Sequence, residues 1–184
     1  MAPKTKAPKL REMNARRLAH EVAVSAEKRV REAAAIVGLE CVPATEPKAS
    51  QLAAAVELLT VFALTGQDLA KAKEAYDLID RILYRRLVDG DAVGVRGDWK
   101  TPLGLVLAAA SGRIRISQGK PVRADELAAL TGFSVERVRQ EIRMGRMKRA
   151  ATPPPGRRLI DAEILASTAK TWLARRKVVG FVTA

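Results

Sequence analysis

The stretch LAALTGFSVERVRQEIRMGR, residues 127–146, sets one glycine between two short helix-like segments and loads the second with arginine. A chain can leave one helix and begin another within three residues only if some residue turns through the left-handed conformation, which glycine does without a steric clash. Gly132 stands at that corner. Ser134 follows as a helix N-cap, and Glu136 sits where the positive end of the helix dipole favours a carboxylate. The spacing therefore predicts a helix over 123–130 and a second over 134–144. Leu127, Leu130, Phe133, Val138 and Ile142 would face a shared core, and Ala128 is small where the helices would cross.

At 3.6 residues per turn, Val135, Val138, Ile142 and Gly145 share the inward face of the second helix. The opposite face holds Glu136, Arg137, Gln140, Arg143 and Met144, with Arg139 at the rim. Glu136, Arg137, Gln140 and Arg143 suit base edges: arginine forks onto guanine, glutamine pairs with adenine, glutamate accepts from cytosine. A face that is only solvated more often mixes lysine and glutamate at ion-pair spacing. Two helices joined by such a corner, the second presenting a polar face, meet the requirements of a helix-turn-helix.

The charge distribution points the same way. The chain carries net +13 over 184 residues. Residues 1–97 hold 16 Lys/Arg against 13 Asp/Glu, whereas residues 98–184 hold 17 against 7. The excess sits on the half that carries the corner, and such a field attracts a polyanion. Apolar residues reach 48%, much of it alanine, with only 4% aromatic. That composition predicts a mainly α fold of closely packed helices rather than a sheet sandwich.

Along the chain, residues 1–9 read as a disordered basic arm and 10–38 as an amphipathic helix. Its apolar stripe is Leu18, Val22, Ala26, Val30, Ala33 and Val37, with Gly38 as its stop. A linker follows at 41–50. Ser50 is placed to cap a helix over 51–65, apolar nearly all round and so a buried centre. Gly66 ends it, and Asp68 is placed to cap a helix over 69–88 with Leu69, Tyr76, Ile79, Leu83 and Leu87 inward. These two helices, 50–89, make a helical hairpin domain suited to oligomerisation or a partner. The glycine-rich break 89–98 marks the domain boundary. Beyond it, Thr101 and Pro102 open a helix over 102–111 that stops at Gly112. RIRIS, 113–117, alternates like a strand. Residues 147–161 read as two short strands around a Pro/Gly loop. Asp161 is placed to cap a last helix over 162–176, with Ile164, Leu165, Ala169, Trp172 and Leu173 inward. The tail 178–184 is short and apolar.

ADELAALTGFSVERVRQEIRMGRM, 124–147, resembles the helix-turn-helix of small winged-helix DNA-binding domains, of the type found in phage excisionases and mercury-resistance-type regulators. The resemblance lies in Leu127-Ala128, Gly132-Phe133-Ser134, Val138, Ile142 and the exit Arg143-Met144-Gly145-Arg146-Met147. GRRLIDAEIL, 156–165, resembles the wing's return strand and the helix after it. Arg139 and Glu141 depart from the pattern, which often has aromatics there. The resemblance implies a winged helix over about 102–165, within a DNA-binding domain spanning 99–177. Backbone contacts would come from Ser134, Arg139 and Arg146, and from Lys148, Arg149, Arg157 and Arg158 around a proline-stiffened wing.

Catalytic chemistry has no foothold in the sequence. His20 is the single histidine and Cys41 the single cysteine, and neither has a partner at metal-ligand or catalytic spacing. GDAVGVRGD lacks the Lys-Ser/Thr of a phosphate loop. The expectation is a non-enzyme with no cofactor and no metal. It would bind double-stranded DNA as a transcription regulator or architectural factor. Homo-oligomerisation through the N-terminal helices is expected, since one winged helix rarely binds tightly alone. No apolar run is long enough to span a bilayer, and a lone cysteine fits a reducing, cytoplasmic, nucleoid-associated setting. The competing reading is a helical adaptor or scaffold with a low-specificity DNA anchor. Single-strand binding is disfavoured by the shortage of aromatic stacking platforms.

Overall fold

The computed structural model describes residues 9–36, 47–81, 101–150 and 163–181. Residues 1–8 of the basic arm, most of the linker, the end of the 69–88 helix, the break at 89–98, the loop 151–156, Asp161 and residues 182–184 lie outside the described residues.

After a short 3-10 turn at Leu10–Glu12, helix α1 runs Ala15–Ile36. Asn14 precedes it, and its Oδ1 accepts from the Arg17 amide at 3.1 Å. Leu18 is buried, with Val22 and Ala26 half-buried along the expected stripe. Helix α2, Pro47–Thr65, starts earlier than expected, so Ser50 lies inside it rather than capping it; proline is tolerated in a first turn. Leu52, Val56, Leu59, Phe62 and Ala63 are buried, which makes α2 the centre its all-round apolar character predicts. Gly66 turns the chain out in the left-handed region at φ +80°.

Helix α3 is Leu69–Asp80. Asp68 does not cap it: the residue is left-handed, makes no side-chain bond to the helix amides, and pairs with Lys71 at 3.0 Å. Ala72, Ala75 and Ile79 face the core, while Leu69 and Tyr76 are half-buried.

Helix α4, Pro102–Ser117, opens as expected, Thr101 Oγ1 accepting from the Gly104 amide at 3.1 Å with Pro102 in the first turn. It does not stop at Gly112, and RIRIS is not a strand. Gly112 is the point where α4 crosses the next helix. A Cβ there would lie 3.1 Å from Glu126 Cβ and 3.2 Å from Leu130 Cδ1, so the glycine permits close packing. The alternation at 113–117 is the last turn and a half of a helix, with Arg113 buried and Ile114, Arg115 and Ile116 half-buried.

Strand β1, Val122–Arg123, follows, and Arg123, predicted to begin a helix, is extended instead. Helices α5, Ala124–Thr131, and α6, Val135–Arg143, come next. Strand β2 is Glu163–Ile164 and helix α7 is Ala166–Arg175. β1 and β2 form a two-stranded antiparallel sheet, Val122 opposite Ile164 and Arg123 opposite Glu163. On the other side of β2, Arg149 forms an antiparallel bridge with Ile164. The Ala150 amide donates to Glu163 O at 2.8 Å, and the Leu165 amide to Lys148 O at 3.1 Å. Segments 148–150 and 163–165 thus pair as the sequence suggests, but the return strand falls at 163–164. The helix expected from 162 therefore begins at Ala166, and Leu165, expected inward, is 38% exposed.

The described residues form a mainly helical protein with this small antiparallel sheet. α2 packs against α1, α3 and α4, and α4 packs in turn against α5 and α7. One continuous core runs from Leu10 and Leu18 through Phe62, Leu107 and Leu127 to Leu173, Val178 and Phe181. Helices from both sides of the break at 89–98 therefore share it. Among the described residues, no helix is long and apolar enough to cross a membrane.

Arg113 joins these parts. Although 4% exposed, it donates from Nε to Ala63 O at 2.9 Å, and from Nη2 to Leu64 O at 3.0 Å and Val179 O at 2.8 Å. The first two carbonyls belong to the last turn of α2, which has no amides of its own left to satisfy them. The guanidinium also lies 4.9 Å over the Phe181 ring. The apolar tail is thereby drawn in, Val178 and Phe181 being buried.

Candidate nucleic-acid interface

The corner between α5 and α6 has the conformation its glycine requires. Gly132 is left-handed, φ +73° and ψ 13°, and its amide bonds to Ala128 O at 2.9 Å. A Cβ on Gly132 would meet nothing within 4 Å, so glycine is needed for backbone angle, not for space. Ser134 caps α6, its Oγ accepting from the Arg137 amide at 3.2 Å. An alanine at such a cap costs about 1 kcal/mol.

Leu127, Leu130, Val138 and Ile142 are buried, and Phe133 meets Trp172 of α7 edge-on, ring centroids 6.2 Å apart. Gly145, expected on the inward face, is exposed. α6 ends at Arg143, and Gly145 forms the left-handed exit turn at φ +71°. Glu141 takes the inward place.

Glu141 is 1% exposed and surrounded by cations. Arg146 Nη1 reaches both its oxygens, at 2.9 and 3.1 Å, Arg176 Nη2 lies at 3.4 Å and Arg137 Nη2 at 3.5 Å. Burial alone would push this carboxyl up, but the Arg146 hydrogen bonds and the charges of Arg146 and Arg176 bring it below the usual carboxylate range. The Trp172 indole N–H also favours the ionised form, although it makes no hydrogen bond of normal geometry. The signal was in the sequence: Glu141 is three residues after Val138 and one before Ile142, on the same helical stripe.

On the outer face, Glu136, Arg137, Gln140, Arg143 and Met144 are exposed together, Met144 at 54%. These side chains are not idle. Arg143 pairs with Glu136, Arg139 Nη1 lies 3.5 Å from Glu136, and Arg137 donates to Gln140 at 3.3 Å. The face therefore also shows the ion pairing of a solvated helix. Exposed pairs of this kind contribute about 0–1 kcal/mol, so they hold these side chains only weakly. Arg139 is half-buried, its Nε lacking a hydrogen-bond partner among the described residues.

Of the expected backbone contacts, Arg146 is half-exposed but engaged by Glu141, Lys148 is exposed, and Arg149 is half-buried at the bridge to Ile164. Arg157 and Arg158 lie outside the described residues. Among the described residues, no group of three or more His, Cys, Asp or Glu is arranged to hold a metal ion.

A second polar cluster supports the start of α5. Glu126 is buried, accepting from the Arg123 amide at 2.8 Å and from Ser111 Oγ at 2.6 Å, with Arg115 Nη1 at 3.8 Å. Burial raises its pKa despite these contacts. Arg115 also reaches Glu163 of β2 at 3.7 Å, tying α4, α5 and the sheet together. Comparison with known proteins finds no matching family model, no matching curated protein and no matching solved structure.

Proposed function

We propose that the chain binds double-stranded DNA in a sequence-dependent way, as a transcription regulator or architectural factor of winged-helix type. α6 lies in the major groove, and the wing, 147–160, lies on the backbone or minor groove. The observation that carries this reading is the α5–Gly132–α6 corner. It buries Val138 and Ile142 and leaves Glu136, Arg137, Gln140 and Arg143 together on the outside. The net charge of residues 98–184 supplies the long-range attraction. The N-terminal helices would join copies of the chain, giving two half-sites one helical turn apart.

A second reading has its own support. The pairs that already occupy Glu136, Arg139 and Arg143 suit an adaptor that holds DNA without reading it. Selection of bound duplexes from a random library separates the two, because reading by α6 enriches a defined site and an anchor does not. Against that site, Arg137→Ala and Arg143→Ala should each remove about 1–3 kcal/mol of discrimination at one base position. Lys148→Ala should weaken all duplexes alike. No enriched site, or base discrimination unchanged from the parent in both Arg137→Ala and Arg143→Ala, leaves only the anchor.

A further inference from the structure

Three described helices end in the same doubly hydrogen-bonded turn. At the end of α4, Gly119 N bonds to Ile116 O at 3.1 Å and Lys120 N to Arg115 O at 2.9 Å. At the end of α6, Gly145 N bonds to Ile142 O at 3.0 Å and Arg146 N to Glu141 O at 3.1 Å. At the end of α7, Lys177 N bonds to Ala174 O at 2.9 Å and Val178 N to Leu173 O at 3.1 Å. The turn needs one left-handed residue. Two helices place glycine there, Gly119 at φ +68° and Gly145 at φ +71°; the third places Lys177, at φ +54°. A Cβ in this region crowds the following carbonyl, and lysine has no short polar group to offset it. The turn sets this conformation, so what a lysine offers there that a glycine does not is its side chain.

The surroundings say what that side chain is for. Arg176, the neighbour of Lys177, lies with Nη2 3.4 Å from Glu141 and its guanidinium 5.3 Å over Phe133 and 5.4 Å over Trp172. The end of α7 is thereby fastened to α6, the helix that bears Arg137 and Arg143. On either side of Arg176, Arg175 and Lys177 are exposed and have no acidic partner among the described residues.

We infer that Arg175 and Lys177 hold phosphodiester oxygens of a DNA duplex lying along α6, widening the interface beyond the helix-turn-helix. This inference rests on the duplex-binding reading above. The test is the salt dependence of duplex binding by the full chain, followed by fluorescence anisotropy, with Lys177→Gly, Lys177→Arg and Arg175→Ala. Lys177→Gly relieves the backbone, so its Tm should equal or exceed that of the parent. Its log K against log salt should be shallower by about 0.9, an affinity loss of about eightfold at 0.1 M relative to 1 M salt, the same on selected and random duplexes. Arg175→Ala should lose a similar slope, and Lys177→Arg should keep it. Parental slopes in both Lys177→Gly and Arg175→Ala, while the parent binds duplex, overturn this inference alone. A parent with no duplex affinity at low salt removes the underlying reading and this contact with it.

Discussion

Replacing Arg113 with methionine keeps the apolar stem and removes the guanidinium. Three carbonyl oxygens, those of Ala63, Leu64 and Val179, then lose their donors in a buried place. Buried ion pairs can sometimes be exchanged for apolar residues at no loss, because both partners leave together. Here the partners are main-chain carbonyls that stay behind, so the exchange cannot be complete. Bonds from a charged donor contribute about 1.5–3 kcal/mol each, but methionine escapes the cost of burying a cation. The net loss expected is about 3–5 kcal/mol, the range for removing one side of a buried charged contact. For a chain of this size that lowers Tm by roughly 6–20 °C. Burial draws the guanidinium pKa down to about 10, so at pH 7 the parent side chain is still charged. Lysine is the informative control: one ammonium cannot serve three carbonyls arranged for a planar fork, so Arg113→Lys should recover only part of the loss. Calorimetry at pH 7 measures both. A methionine variant melting within about 2 °C of the parent, under the ~6 °C minimum set by this scale, or full recovery by lysine, refutes the reasoning.

Two further predictions concern the same core and the interface. Glu141→Gln should lower stability at neutral pH by about 1–3 kcal/mol, since Arg146 and Arg176 keep their charge and lose their counter-charge. The native pKa lies below the unfolded one, so the carboxylate's contribution is present above the usual carboxylate range and fades as pH falls through the native value. The glutamine variant should therefore lose less stability on acidification, and identical slopes of Tm against pH below 5 would contradict this. Gly180→Ala should cost about 2–3 kcal/mol by thermal melting, because the residue is left-handed at φ +83° and its new Cβ would fall 2.5 Å from Thr65 O. A neutral effect would mean that the tail does not hold this close to α2.

Local chemistry was legible at several helix ends, though not at Ser50 or Asp68, which were expected to cap α2 and α3 and do not. Thr101 and Pro102 open α4, Ser134 opens α6, and Gly132 makes the corner, because caps and left-handed turns are settled within four residues. The apolar stripes of α5 and α6 were equally plain, and with them the side on which Arg137, Gln140 and Arg143 emerge. What the sequence alone determined is therefore a set of helices, the capped starts of α4 and α6, and a polar outer face on α6.

Tertiary contact decided the rest. RIRIS reads as a strand because charge and isoleucine alternate, and only the carbonyls of Ala63, Leu64 and Val179 make it favourable for Arg113 to lie inside a helix. Gly112 looks like a stop until α5 is seen to press against it. Glu141 lies on the apolar stripe of α6, but only Arg176, 35 residues on, completes the charge around it, and Glu163–Ile164 is a strand because Val122–Arg123 lies opposite. In each case a polar or achiral residue takes its meaning from a group far away in the chain. A buried charge or a missing side chain is tolerated only where a distant partner satisfies or fills it, and no window of sequence contains that partner.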